Sequence, residues 1–153
     1  MQSLATNPAF LAYAGMIIVL SLNLLVLWGY SGAVRGKSKT TPNPEDAKGS
    51  GAAVVEVEPP EVARVLRAHK NAMANIVPFA FLGIVYVLAG GSSTMAHVLF
   101  GVFTFARVAH SFAYLKGKQP WRSIFFGLGA LTTLILMGMI VKSLCMACGS
   151  CAS

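Results

Sequence analysis

Four long apolar stretches run through this chain, joined by segments that are basic, proline-rich or glycine-rich. From Met1 to Val34, from Asn71 to Ala96 and from Ser123 to Val141, no side chain carries a charge. The stretch from Met95 to Leu115 is apolar as well, interrupted only by His97, Arg107 and His110. Each reaches the ~20 residues with which a helix crosses about 30 Å of hydrocarbon. The pattern predicts an all-α fold, an integral-membrane four-helix bundle forming a single domain over residues 1–153. The helices are expected at about 8–34, 60–89, 95–115 and 120–144, with a cytoplasmic loop over 36–58.

Local signals set those limits. Arg35, Lys37 and Lys39 close the first helix, and Pro59-Pro60 opens the second, since proline suits a first helical turn. The second helix is longer than the hydrocarbon requires, so its first turns stand outside it. Within it Pro78 removes the hydrogen bond to the Ala74 carbonyl and predicts a bend. The loop segment Thr41 to Asp46 reads as an ordered turn, and Gly49-Ser50-Gly51 as a mobile run. The first stretch lacks a basic start and is longer than the ~7–15 apolar residues of a signal peptide, so it is expected to remain as a span.

Composition agrees with the pattern. The 153 residues are 56% hydrophobic and 11% charged, with a mean hydropathy of +0.67. Soluble domains carry roughly a quarter charged residues. The formal net charge of +7 is concentrated in two joints. Arg35, Lys37, Lys39, Lys48, Arg64, Arg67 and Lys70 lie between the first two spans, and Lys116, Lys118 and Arg122 between the last two. By the positive-inside rule both joints are cytoplasmic and both termini lie on the non-cytoplasmic side. The expected location is a multi-pass position in the endoplasmic reticulum of a eukaryote or the inner membrane of a bacterium. Nucleic acid is excluded as a partner, because the charge borders the lipid bilayer and no nucleic-acid-binding motif surrounds it.

Arg107 is the most informative residue. A guanidinium at membrane depth costs about 2.5–3.5 kcal/mol even on insertion scales, so it faces protein or a water-filled cavity. His110, Ser111 and Tyr114 follow it at i+3, i+4 and i+7, on one helical side. No carboxylate occurs in any of the four spans to pair with it. A cavity lined by fixed positive charge suits a small acidic ligand. On the second helix Arg64, Arg67, Asn71, Ala74 and Pro78 share one arc, which predicts a second polar wall. Arg122 and Ser123 fall in the first turn of the fourth helix, where unpaired N–H groups and the helix dipole favour an anion.

Other chemistries fit poorly. His97 and His110 are thirteen residues apart, roughly 20 Å along a helix, and cannot ligate one haem iron. A proton pump needs intramembrane carboxylates. Cys145, Cys148 and Cys151 form C-x-x-C-x-x-C without a fourth ligand, so no metal site is expected.

Four short motifs stand in register with the four spans: Asn43-Pro44-Glu45-Asp46, Arg67-Ala68-His69-Lys70-Asn71, Arg107-Val108-Ala109-His110 with Ala113-Tyr114-Leu115, and Arg122-Ser123. Together they resemble the membrane-associated proteins in eicosanoid and glutathione metabolism (MAPEG). The likeness is closest to the branch holding microsomal prostaglandin E synthase type 1 and microsomal glutathione transferase type 1. The resemblance implies a homotrimer with glutathione bound between subunits near the cytoplasmic side. It implies that Arg35, Arg67, Lys70, Asn71, Arg107, His110 and Tyr114 bind glutathione, that Arg122 and Ser123 lie by its sulfur, and that Asp46 assists the arginine. The implied activity is a glutathione transferase attacking a lipophilic electrophile dissolved in the bilayer, with lipid-hydroperoxide peroxidase activity as a second reaction. The alternatives are a glutathione-dependent isomerase like the prostaglandin synthase and a non-catalytic membrane scaffold. Three positions depart from the family pattern: Ala74 replaces an acid that would meet the glutathione ammonium, Lys70 replaces an arginine, and Phe126 replaces a tyrosine.

Overall fold

In hydrocarbon an apolar run has no outside partner for its backbone groups, so each run here closes its hydrogen bonds within a helix. The computed structural model describes residues 4–149. After a short 3-10 turn at Leu4–Thr6, the main helices are α1 Pro8–Ser38, α3 Pro60–Leu88, α4 Ser93–Leu115 and α5 Trp121–Cys148. All four are long and apolar enough to cross a membrane.

The ends of these helices show why they extend where they do. Asn7 caps α1, its side-chain oxygen accepting from the Ala9 N–H at 2.9 Å. The helix continues past Arg35 to Ser38, whose hydroxyl donates back to the Val34 and Arg35 carbonyls at 3.2 and 3.1 Å. It stops at Lys39, which takes a left-handed φ of 51°. The joint between α1 and α3 is more ordered than its composition suggests. It holds a helix α2, Pro44–Ser50, flanked by two short strands, β1 Thr40–Thr41 and β2 Ala53–Val54, which pair in parallel. Gly49 and Ser50, expected to be mobile, therefore lie in a helical turn that closes at Gly51 with φ 66°. Pro44 at the first position, Glu45 and Asp46 in the first turn and Lys48 in the last all match the helix dipole.

Helix α4 is the centre of the bundle, packing against α1, α3 and α5. Its buried side carries Ala96, Leu99, Phe100, Phe103, Ala106, Arg107 and His110. Phe103 stacks on Phe79 of α3 with ring centroids 3.6 Å apart, and Phe100 meets Phe79 edge-on at 6.1 Å. Gly83 of α3 makes room for this cluster, since a Cβ there would lie 3.1 Å from the Tyr13 ring and 3.3 Å from Phe100. Outward-facing Leu22, Leu25 and Val26 on α1, and Leu131, Leu134 and Ile135 on α5, are exposed. Such faces suit lipid, which is as apolar as they are.

One polar tether crosses this interior. Asn23 Nδ2 of α1 donates to Ser111 Oγ of α4 at 3.1 Å, and Ser111 donates to the Arg107 carbonyl at 3.1 Å. Interhelical hydrogen bonds in membranes average about 0.6 kcal/mol. Asn23→Leu should therefore lower unfolding stability in mixed micelles by about that amount; a loss several times larger would mean the tether organises the whole bundle.

Candidate functional site

Arg107 has no solvent exposure at all. Its Nη2 donates to Asn71 Oδ1 on α3 at 2.7 Å and, at a longer 3.4 Å, to His110 Nδ1 one turn along α4. Gly129 of α5 leaves the space that the side chain fills, because a Cβ there would lie 3.3 Å from Arg107 Cδ. Nε and Nη1 have no hydrogen-bond partner among the described residues.

The two bonds made by Nη2 decide what the next layer offers. A guanidinium only donates, so Asn71 Oδ1 and His110 Nδ1 are both used as acceptors. That leaves Asn71 with its NH2 free and His110 with its proton on Nε2. Both of these donor groups belong to residues lining a hollow of about 280 Å³, together with Tyr114, Arg122, Ser123 and Phe126. Arg107 itself stands behind the hollow and sets the polarity of its wall.

The opposite wall is the first turn of α5. The Arg122 guanidinium lies over the Tyr114 ring, 4.9 Å from its centroid, a cation–π contact that fixes its plane. Gln119 secures it from the other side. With its amide oxygen toward Arg122, that oxygen accepts from Nη2 at 2.7 Å and Nε at 3.3 Å, while its NH2 donates to Ser123 Oγ at 3.2 Å. Ser123 then accepts from Gln119 and keeps its own proton to donate. The His110 ring packs between Tyr114 and Phe126, at centroid distances of 5.7 and 6.2 Å. The hollow is thus lined by hydrogen-bond donors and one cation, with Phe126 as its apolar edge.

Of the residues singled out from sequence, the structure gathers Asn71, His110, Tyr114, Arg122 and Ser123 around this hollow and puts Arg107 directly behind it. The others stand elsewhere in the chain. Arg35 is ion-paired with Glu58, donating from Nε at 2.8 Å. Asp46 lies exposed on α2 and accepts from Asn43 Nδ2 at 2.9 Å. Arg67 is exposed. Lys70 lines a separate open groove with His69, Met73, Ala74, Val77 and Pro78. The single polar arc expected on α3 is therefore split. Asn71 borders the buried stripe of Ala68, Ala72 and Ile76, whereas Ala74 and Pro78 turn outward. Gln119 was not singled out, although a polar residue just ahead of a helix start carrying Arg and Ser was a usable signal. Cys145 is disulfide-bonded, and Cys151 lies outside the described residues. Among the described residues, no three His, Cys, Asp or Glu side chains gather in a way that would hold a metal ion.

The profile of the MAPEG family matches residues 11–142. The chain belongs to the MAPEG family. Its similarity to individual MAPEG-type sequences is spread along most of its length. It is 40% identical to prostaglandin E synthase of Homo sapiens over 125 residues, covering 81% of this chain and 80% of that protein. It is 38% identical to the Bos taurus protein of the same name over the same shares. It is 33% identical to microsomal glutathione S-transferase 1 of Sus scrofa over 148 residues, covering 94% of this chain and 96% of that one. With its four span-length helices, this MAPEG chain is a multi-pass membrane protein.

Proposed function

We propose that the protein is a membrane-bound glutathione transferase, binding glutathione at the donor-lined hollow and directing its thiolate against electrophiles dissolved in the bilayer. The observation that carries this reading is the hollow itself, where one arginine and four further donors face a common space. Glutathione presents two carboxylates and a thiol that can ionise, and each of these acidic groups gains from such a wall. A free thiol near pKa 8.5 is mostly protonated at neutral pH, and a neighbouring cation shifts it toward the thiolate. Arg122 and Ser123, at the start of α5, are the groups placed to hold that sulfur. The thiolate then forms a carbon–sulfur bond with the electrophile, and the leaving group departs with the bonding electron pair. The relative named for glutathione transfer, aligned over nearly its whole length, supports the same reading.

The acting unit is a homotrimer in which the site is completed between subunits. A volume of about 280 Å³ falls just short of the ~300 Å³ at which ligand pockets usually begin. Arg35 and Lys70 lie on other faces of the subunit, where a neighbouring copy could meet them. The outward stripe of Met73, Val77 and Phe81 on α3 is exposed and apolar, as a buried subunit contact would be. The basic end of the bundle is the cytoplasmic one.

Incubation with glutathione and a generic aryl halide tests the activity, and product analysis separates it from isomerisation. A conjugate supports transfer; glutathione returned unchanged with a rearranged substrate supports the isomerase; neither reaction leaves a binding protein. Ala74→Glu tests the assembly. If the Lys70 groove joins the hollow across subunits, the new carboxylate meets the glutathione ammonium and tightens binding in a calorimetric titration. Unchanged affinity would separate the groove from the site.

A further inference from the structure

A second cavity, of about 610 Å³, opens at the basic end of the bundle between α1, α3 and α4. None of its lining residues belongs to the hollow at Arg122. Lys37 stands on its α1 wall and Arg64 on its α3 wall, with Glu61 one turn before Arg64. The three charges lie round one space, and among the described residues none of them forms an ion pair. The ion pair found among the described residues joins Arg35 to Glu58 instead. Gly117, in the α4–α5 turn, gives Arg64 its place, since a Cβ there would lie 2.8 Å from Arg64 Nη1.

The cavity is graded along the helices. Lys37 and Glu61 lie close to the ends of α1 and α3, Val34 and Val65 lie about one turn further in, and Leu115 at the end of α4 adds an apolar wall. Tyr30 sits two turns further into the membrane along α1, an amphipathic ring of the kind that favours the interface. A ligand matching this gradient is charged at one end and apolar at the other. Two cations on opposite walls suit a phosphate, which accepts several charge-assisted bonds at once. The unpaired Glu61 carboxylate disfavours a purely anionic headgroup and suits an ammonium.

We propose that this cavity binds an ammonium-bearing glycerophospholipid, its phosphate held between Lys37 and Arg64, its ammonium at Glu61 and its acyl chain along Val34, Val65 and Leu115. Free phosphate would leave the apolar depth uncovered. The site is separate from the glutathione reading and does not depend on it.

Native mass spectrometry of the detergent-purified oligomer tests the assignment with three probes: phosphatidylethanolamine, phosphatidylglycerol and inorganic phosphate. Wild type should retain phosphatidylethanolamine in preference to phosphatidylglycerol. Lys37→Gln and Arg64→Gln should each weaken that retention about fivefold, the loss of one cation near a phosphate. Glu61→Gln should shift the preference toward phosphatidylglycerol. Lys37 is exposed, so its replacement gives the same readout even if Arg64→Gln folds poorly. Conjugation of the aryl halide should be unchanged in the Lys37 and Glu61 variants. Equal lipid retention by wild type and the Lys37 variant would overturn the proposal, as would a wild-type preference for phosphatidylglycerol or capture of phosphate without lipid.

Discussion

Replacing Arg122 with alanine is expected to lower the rate of glutathione conjugation by about tenfold or more, with the protein still folded. Arg122 is half-buried at the first turn of α5, held flat over Tyr114 and by the Gln119 amide. Its anchors are therefore in place before any ligand arrives, so little reorganisation is needed as charge gathers on the sulfur. Loss of the side chain leaves the bundle core untouched, because Phe79, Phe100 and Phe103 pack on α3 and α4. The measurement is the conjugation rate at saturating aryl halide, beside the elution volume of the purified variant and wild type. Normal turnover in this variant would remove Arg122 from the chemistry.

The second large effect is expected at Arg107, and its sign differs between stability and binding. A buried guanidinium in a membrane span costs about 2.5–3.5 kcal/mol. Arg107→Met removes that cost and fills much of the same volume. Against this, Asn71 Oδ1 is left without its donor, a loss of about 1–3 kcal/mol. The two nearly cancel, so thermal stability should change little or rise. Glutathione affinity should fall about tenfold, because Asn71 and His110 lose the bonds that aim their N–H groups into the hollow. A residue kept only for structure would show the reverse, with stability lost and affinity unchanged. Thermal unfolding and calorimetric titration on the same preparation distinguish the two.

The spans were legible in the sequence because hydrocarbon imposes one answer on a long apolar run. The burial of Arg107 against protein was legible for the same reason, since a guanidinium at that depth cannot face lipid. What the helical wheel could not supply was the position of the neighbouring helix. Arg67, Asn71, Ala74 and Pro78 share an arc, but only Asn71 borders the face that α4 covers. The Arg35–Glu58 pair was hidden by a different cause. Its partners are 23 residues apart, and they meet only because β1 and β2 pair and fold the joint back. The side chain of Arg107 is wholly buried and is hydrogen-bonded to Asn71 and His110, two residues that line the hollow, a pairing across helices that spacing along α4 alone does not show.

In the proposed function, this donor-lined hollow holds glutathione with its sulfur ionised. An ultraviolet difference titration of glutathione on the purified protein, followed against pH, measures that ionisation directly. The bound peptide is expected to give a thiolate signal well below the pH at which a free thiol of pKa about 8.5 ionises, and to return toward that value in Arg122→Ala. A bound thiol that titrates like the free one, or a thiolate signal that survives the loss of Arg122, would contradict it.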